Sequence, residues 1–323
     1  MTTPHLPQRP LGRTGASVTP IGLGGAYLGV THRDGETSVD EDLGITTVLR
    51  ALELGINLID TSAGYMGDSR SEIIVGKALQ QWLHDGGRRA DIVLSTKTGT
   101  RDRHNRGPHN YSAAATWQSI ETSLELLQTD YLDVALVHDP DDLAPVLAPE
   151  GAWEALQAMR AQGLVRAIGL GVRDHAFHRR LIATGACDVC LTHCDFNLAN
   201  RTAEEGVLVP AAARGVAVLN ATSLLHGLLL GRRSPTEVAA ASPALSSPAR
   251  RADVARAEAA WHIAQGAGVD LLALNLQFIA RERRIAATLM GAATPEQIAA
   301  DVQALQAPIP DEIWEELRIT SNE

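Results

Sequence analysis

The sequence is poor in cysteine, aromatic residues and basic residues. Its three cysteines, Cys187, Cys190 and Cys194, lie in one short segment, so the sequence does not indicate the disulfide framework of a small secreted domain. Aromatic residues make up 4% of the chain, which disfavours an aromatic-lined pocket of the kind that holds a steroid. Lys and Arg total 28 against 38 Asp and Glu, for a net charge of −10, which disfavours binding to the phosphate backbone of a nucleic acid.

Long hydrophobic runs are also missing. No stretch of about 18 uncharged apolar residues occurs, so the sequence predicts no membrane-spanning helix. Residues 1–10 contain Pro and His but lack the apolar core of a signal peptide. We therefore expect a cytoplasmic protein with neither a membrane nor a nucleic-acid partner.

The composition that is present is that of an ordinary globular protein. Hydrophobic residues make up 45% and charged residues 20% of the 323 residues. This length is usual for one barrel of alternating strands and helices with insertions. Because no low-complexity tract or linker interrupts the chain, we expect residues 1–323 to form a single domain. The sequence predicts no particular oligomeric state.

Eight apolar segments predict eight β-strands, with helical patterns between them. The predicted strands are residues 18–23, 56–60, 92–97, 134–138, 167–172, 189–194, 216–220 and 285–290. The predicted helices are residues 42–54, 71–83, 113–127, 153–162, 175–183, 202–213 and 252–281, with further helix in the tail from residue 295. A strand–helix unit repeated eight times predicts an α/β fold, a single (β/α)8 TIM barrel.

Two long irregular segments, residues 98–111 and 223–248, are rich in Gly, Pro, Ser, Arg and His. Loops of this length in a compact domain are often lids or binding loops. We therefore predict that both lie over a binding site. The first segment carries many side chains that suit a substrate with several hydroxyl groups, namely Arg101, Asp102, Arg103, His104, Asn105, Arg106, His109 and Asn110.

Polar residues close three successive predicted strands. Asp60, Lys97 and His138 are the last residues of their strands, and Tyr65 follows five residues after Asp60. In a barrel of parallel strands, chemistry gathers at the C-terminal ends of the strands. These four side chains are therefore predicted to share one pocket, where they could transfer a proton next to a carbonyl group.

Five motifs carry a resemblance to a known family, together with Tyr65 and the pair Ser71-Glu72. They are residues 11–15, 22–24, 55–62 (Gly-Ile-Asn-Leu-Ile-Asp-Thr-Ser), 131–138 and 163–171. In combination they resemble the aldo-keto reductase superfamily. The resemblance implies a (β/α)8 barrel with an N-terminal hairpin, a nicotinamide dinucleotide bound without a Rossmann domain, and a catalytic tetrad of Asp60, Tyr65, Lys97 and His138.

The chemistry explains why these residue types suit the reaction. Oxidising an alcohol needs a base for the hydroxyl proton, but a free tyrosine has a pKa near 10, too high for a good base at neutral pH. The ammonium of Lys97 is expected to lower the pKa of Tyr65, and Asp60 is expected to hold Lys97 in place and charged. His138 is expected to donate a hydrogen bond to the substrate oxygen and so to orient the substrate.

Several positions depart from the common pattern of the family. Val172-Arg173 replaces a frequent Ser-Asn, His193 stands at a Gln position, and Asn220 or Ala221 stands where a Tyr often stacks on the nicotinamide. These departures resemble the branch that contains galactose, fucose and threo-aldose dehydrogenases. The cofactor contacts that the resemblance implies are Gly24, Gly25, His193, Asn220, Ala221, Gly291, Ala293, Gln297 and Asp301.

The cofactor is expected to be NAD rather than NADP, although NADP remains an alternative. The 2′-phosphate of NADP calls for Lys or Arg, which family members commonly place after the eighth strand. Residues 291–297 contain no basic residue and one carboxylate. An enzyme that uses NAD in the cell would favour oxidation.

We expect an NAD(P)-dependent dehydrogenase that oxidises the C1 hydroxyl of a free aldose, of the L-fucose, L-galactose or D-threo-aldose type, to the lactone. One alternative substrate is pyridoxal or another small aldehyde. Two alternatives from other classes are a metal-dependent hydrolase on the same barrel and a regulatory subunit that binds the cofactor with little turnover. The hydrolase would need several convergent metal ligands, and the first predicted strand offers none.

The cysteine segment could suggest zinc, because Cys187, Cys190, His193 and Cys194 are closely spaced. Alternation along a strand, however, places Cys190 and Cys194 on one face and Cys187 and His193 on the other. Four ligands on opposite faces cannot easily converge. We therefore expect reduced thiols in the core and no metal site.

Overall fold

Eight parallel strands close into a barrel in the structure, a computed structural model that describes residues 6–33, 35–100, 102, 107–243, 245, 247 and 250–319. The strands of this part of the chain are β1 (Arg9–Pro10), β2 (Ser17–Val18), β3 (Ile21–Gly24), β4 (Val30–Arg33), β5 (Glu36–Val39), β6 (Leu58–Asp60), β7 (Val93–Thr98), β8 (Leu132–His138), β9 (Val165–Gly171), β10 (Val189–His193), β11 (Ala217–Ala221) and β12 (Ile285–Met290). The barrel order is β3, β6, β7, β8, β9, β10, β11, β12 and back to β3. The predicted TIM barrel is confirmed.

Helices alternate with the barrel strands and cover their outer faces. They are α1 (Glu41–Glu53), α2 (Arg70–His84), α3 (Ala113–Leu127), α4 (Ala144–Leu147), α5 (Ala152–Ala161), α6 (His175–Ala183), α7 (Val209–Ala212), α8 (Pro235–Ala240), α9 (Arg251–Gly266), α10 (Leu271–Arg281), α11 (Pro295–Gln306) and α12 (Asp311–Ile319). A single π-helical stretch, Glu204–Leu208, precedes α7. The helical tail expected after the last strand is present as α11 and α12.

Alternation along each strand divides the core into two layers. Leu58, Leu136 and Leu191 point into the barrel, where they belong to one buried apolar cluster. Their neighbours, such as Ile59 and Val137, belong to the larger cluster between sheet and helices. Because side chains alternate with a period of two, the last residue of β6, β8 and β10 points inward, towards the C-terminal mouth of the barrel.

The predicted first strand, residues 18–23, is wrong as one element. Val18 ends β2 of the N-terminal hairpin, which pairs Arg9 with Val18, and the barrel strand begins at Ile21. Pro20 lies between the two, and it has no N–H with which to continue a ladder. The hairpin itself is confirmed, and Arg9 ties it to the barrel by donating to the carbonyl of Ile285 at 3.0 Å.

The predicted helix 252–281 is also wrong as one element, because α9 and α10 meet at a bend of 111°. Gly268, with φ of 66°, forms the turn, and Asp270 caps α10 by accepting a hydrogen bond from the amide of Leu272 at 2.8 Å. In the part of the chain that the structure describes, no single helix is long and apolar enough to cross a membrane, although this bent pair passes the test by length and composition.

Two further elements lie where the sequence analysis predicted no strand or helix. The hairpin of β4 and β5 was not predicted, since Val30–Val39 lies in a short polar stretch. The segment 223–248 contains α8, where Ser234 and Glu237 form a capping box. In the first predicted lid, residues 101 and 103–106 lie outside the described residues, and in the second, residues 244, 246 and 248 do.

Candidate active site

The four predicted catalytic residues meet at the mouth of the barrel. Asp60, Lys97 and His138 lie on the adjacent strands β6, β7 and β8, all pointing inward. Lys97 Nζ lies 2.5 Å from Asp60 Oδ2 and 4.6 Å from the centroid of the Tyr65 ring. The rings of Tyr65 and His138 are 5.5 Å apart and nearly perpendicular. One cation therefore lies between a carboxylate and a phenol.

The ion pair of Lys97 and Asp60 is almost completely withdrawn from solvent, with exposures of 1% and 2%. Its remaining polar atoms have partners, because Lys97 donates to the carbonyl of Thr61 at 2.8 Å and Ser95 donates to Asp60 Oδ1 at 2.8 Å. Burial lowers the pKa of Lys97, but Asp60 and Tyr65 together outweigh burial and raise it above its ordinary value. Lys97 therefore stays an ammonium.

The phenol of Tyr65 is held in its protonated form. Burial raises the pKa of Tyr65, and the neighbouring Lys97 opposes that rise without cancelling it. The expectation of a net lowering is therefore wrong for the site without ligands, although Lys97 acts in the expected direction. Desolvation of a nearly buried phenolate outweighs the attraction of one ammonium that Asp60 already neutralises.

His138 is neutral at physiological pH, because burial, together with the charge of Lys97, lowers its pKa to about 3. Its Nδ1 lies 3.1 Å from the hydroxyl of Ser62. The hydroxyl of Tyr111 donates to the carbonyl of His138 at 2.9 Å and so fixes the backbone at the end of β8. A neutral imidazole fixed in this way can offer one N–H to an oxygen beside Tyr65.

A cavity of about 710 Å³ lies at the mouth of the barrel and is lined by two of the four residues, Asp60 and Tyr65. Asp60 and Tyr65 lie at its inner end, and the walls come from the loop after β11, the hairpin of β4 and β5, and the segment after β12. The predicted cofactor contacts Gly24, Ala221, Gly291, Ala293 and Gln297 line it.

The other predicted cofactor contacts lie elsewhere. Gly25 is buried beneath this cavity, which we call the groove, and a Cβ on Gly25 would lie 2.5 Å from Ser71 Oγ. Asn220 points outward from the barrel, because its Nδ2 donates to the carbonyl of Phe196 at 3.0 Å. Asp301 is buried in α11, and burial raises its pKa to about 7. His193 lies at the mouth near Asp139.

The loop after β11 has an unusual backbone. Thr222, Leu225, His226 and Gly227 all have positive φ values between 45° and 91°, and three of them are not glycine. Such conformations are uncommon for these residue types and concentrate at functional sites. The amides of Leu225 and Gly227 donate within the loop, to the carbonyls of Thr222 and Leu224 at 3.1 and 3.0 Å, and the loop lines the cavity.

A pair of buried hydroxyls was missed by the sequence analysis. Ser71 Oγ lies 2.7 Å from Thr61 Oγ1 and donates to the carbonyl of Gly25 at 2.8 Å. Since the carbonyl of Thr61 accepts from Lys97, these contacts connect the floor of the groove to the ammonium. Ser71 belongs to a motif that the sequence analysis singled out, but nothing in the sequence indicates its partners.

The cysteines differ from the prediction in their orientation. Cys187 and Cys190 have their Sγ atoms 3.9 Å apart, on one side of the sheet, because Cys187 precedes β10 and strict alternation does not extend to it. All three thiols are free and buried. Among the described residues, no group of three or more His, Cys, Asp or Glu side chains is placed to hold a metal ion.

Comparison with known proteins places the chain in a family. A model described as the aldo/keto reductase family matches residues 20–322. L-galactose dehydrogenase of Arabidopsis thaliana is 32% identical over 302 residues, which cover 92% of this chain and 87% of the relative. Pyridoxal 4-dehydrogenase of Microbacterium luteolum is 28% identical, covering 96% of each chain.

A solved structure gives the same result. The holo form of the aldo-keto reductase AKR11C1 from Bacillus halodurans superposes with a TM-score of 0.77 at 25% identity. The match covers 97% of this chain and 96% of that one.

Proposed function

The chain belongs to the aldo/keto reductase family of oxidoreductases, and from this premise we propose that it is an NAD(P)-dependent dehydrogenase that oxidises the C1 hydroxyl of a free aldose to the lactone. The observation that carries the proposal is the buried ammonium of Lys97 beside the Tyr65 phenol, at the inner end of a long groove. This arrangement suits removal of a hydroxyl proton next to a dinucleotide.

The residues along the groove fit a nicotinamide dinucleotide. Gly24 and Gly291 leave room for a flat ring and for close approach of the backbone, and the loop 222–227 lines the same cavity. When bound, the nicotinamide supplies the acceptor for the hydride. Because no Lys or Arg occurs among the described residues that line this cavity, we propose that NAD is preferred over NADP.

The proton steps belong to the protein. As the hydride leaves C1, Tyr65 takes the proton of the C1 hydroxyl, and the electron pair of that O–H bond forms the carbonyl of the lactone. Lys97 stabilises the phenolate form that accepts the proton, and Asp60 keeps Lys97 charged and in place. Neutral His138 donates a hydrogen bond to the same oxygen and orients C1 towards the groove.

The aldose assignment is supported by the similarity to L-galactose dehydrogenase and by the scarcity of aromatic residues, which make up 4% of the chain. Polar substrates need fixed donors and acceptors rather than aromatic walls. The similarity to pyridoxal 4-dehydrogenase favours pyridoxal as the second candidate substrate.

A panel of aldoses, pyridoxal and simple aldehydes, assayed with NAD and NADP and with product analysis, tests the proposal. We expect an aldose to give the highest kcat/KM and a lactone as product. Tyr65→Phe should lower kcat by roughly a hundredfold or more while the Kd for NAD changes little. Tenfold higher kcat/KM for pyridoxal than for every aldose would contradict the substrate, and cofactor binding without turnover would favour a regulatory subunit.

A further inference from the structure

A second polar group lies at the mouth of the barrel beside the four predicted catalytic residues. The carboxylate of Asp139, just after β8, lies between two imidazoles. Its Oδ2 is 3.6 Å from Nε2 of His138, and its Oδ1 is 3.8 Å from Nε2 of His193 on β10. We call Asp139 and His193 the mouth pair.

The fold brings the mouth pair together across an intervening strand. β9 lies between β8 and β10, so the backbones of β8 and β10 are roughly 9 to 10 Å apart. The last inward position of β9 is Gly171, which pairs with His138 of β8. The carbonyl of Gly171 also accepts a hydrogen bond from the amide of Asp139 at 2.8 Å. This hydrogen bond holds the backbone of Asp139 against β9, the strand that precedes β10 in the barrel.

The backbone at Asp139 is held in an uncommon conformation, with φ of 42°. Such a conformation costs about 1 kcal/mol or more for a residue with a side chain and persists where the surroundings impose it. Glycine would adopt it without that cost. A carboxylate kept here, with half of its side-chain surface exposed to the mouth, has more than a packing role.

The side chains of the mouth pair are accessible to a ligand. At 3.6 and 3.8 Å the contacts are longer than direct hydrogen bonds, and the side chains of His138, His193 and Asp139 are 13%, 33% and 50% exposed. A hydroxyl group that lies against the exposed side of both Asp139 and His193 can donate to the carboxylate and accept from the imidazolium. The neighbouring His138 lies 5.5 Å from the ring of Tyr65, so such a hydroxyl would belong to the reacting molecule.

We propose that Asp139 and His193 form a specificity site that binds a hydroxyl group next to the reacting carbon of a polyhydroxylated substrate. The site rests on the proposed function and narrows its substrate to molecules with a hydroxyl beside the carbon that is oxidised. In this proposal His193 contacts the substrate, whereas the sequence analysis expects it to contact the cofactor. The charges suit this task, because Asp139, together with Cys194, raises the pKa of His193 to about 9, and the pair is ionised at neutral pH.

The test compares a substrate with its deoxy analogue. For the wild-type enzyme with NAD, kcat/KM for an aldose should exceed that for the 2-deoxy aldose at least tenfold. Asp139→Asn, which keeps a residue that tolerates positive φ, and His193→Gln should each lower this ratio roughly tenfold. The Kd for NADH, measured by fluorescence titration, should stay within twofold. The controls Asp141→Asn and His84→Gln make the same replacements at exposed positions. They should leave the ratio of kcat/KM and the Kd for NADH unchanged.

A second arm keeps the result independent of the aldose assignment. Reduction of glyceraldehyde and of propanal with NADH compares an aldehyde that carries the adjacent hydroxyl with one that lacks it. If the wild type oxidises no aldose, the proposed function fails, and the ratio of kcat/KM for these two aldehydes then decides the mouth pair. Ratios of kcat/KM that are unchanged in both variants overturn the proposal. A tenfold weaker Kd for NADH in His193→Gln, with an unchanged ratio of kcat/KM, also overturns it and would show that His193 binds the cofactor.

Discussion

Replacing Lys97 with methionine tests the central feature of the site, a buried cation that acts on Tyr65. The Coulomb energy of unit charges separated by the 4.6 Å between Lys97 Nζ and the Tyr65 ring is about 3 to 4 kcal/mol at an effective dielectric constant of about 20. Lys97 is buried and Tyr65 is partly exposed to the cavity, so solvent screening reduces this value only in part. Lys97→Met should therefore lower aldose oxidation at neutral pH by roughly a hundredfold or more.

The profile of kcat/KM against pH should shift in one direction in Lys97→Met. Tyr65 must lose its proton to act as a base, and without Lys97 its phenolate is less stable, so the pKa of Tyr65 rises further above its ordinary value. The ascending limb of the profile of kcat/KM against pH should move up by roughly two pH units. The deficit should be largest near neutral pH and smaller in alkaline solution.

Stability must be separated from chemistry in this experiment. Lys97→Met leaves the Asp60 carboxylate buried without its cation, which should lower the free energy of unfolding by about 3 to 5 kcal/mol. Adding Asp60→Asn removes the stranded charge and should recover most of that stability, while the pH profile stays displaced. Lys77→Met is the matched control, since Lys77 forms an exposed ion pair with Glu41, worth at most about 1 kcal/mol. A wild-type pH profile in Lys97→Met would refute the reasoning.

Two further substitutions test the groove. Ser71→Ala leaves the buried carbonyl of Gly25 without its donor and should lower the free energy of unfolding by about 1 to 3 kcal/mol and weaken NADH binding several-fold. The control is Thr116→Ala, at a buried hydroxyl without a hydrogen-bond partner among the described residues, which should have neither effect. Equal effects of the two substitutions would argue against a link between Ser71 and the groove. Gln297→Arg places a cation where Gln297 lines the groove and should raise kcat/KM for NADP relative to NAD by roughly tenfold or more. The control Gln303→Arg, at an exposed position on the same helix, should leave this ratio unchanged. A wild-type enzyme that already prefers NADP would contradict the expected preference for NAD.

The sequence predicts those parts of the site that depend on one strand at a time. Asp60, Lys97 and His138 could be found because each closes an apolar run, and parallel strands bring their C-terminal ends together. The mouth pair could not be found in this way. Asp139 meets His193 across β9, and the sequence alone does not show which side chains face each other across an intervening strand.

The same reason explains the errors in the elements. Pro20 and Gly268 are local signals, but whether a Pro or Gly ends an element or is accommodated within it depends on tertiary packing. The prediction of a lowered pKa for Tyr65 was wrong for a different reason. Its net direction depends on how far burial removes solvent, and burial is a property of the folded chain rather than of neighbouring residues in sequence.

The alternation of β7 also limits how this protein can change during evolution. Lys97 points into the barrel, while its neighbour Thr96 points outward and donates to the buried carboxyl of Glu72 at 2.6 Å. Inserting or deleting one residue within β7 would exchange the two directions, so a hydroxyl would replace the ammonium beside Tyr65 and a cation would be forced between sheet and helix. Substitutions can therefore adjust the site gradually, whereas length changes can be accepted only outside the barrel strands.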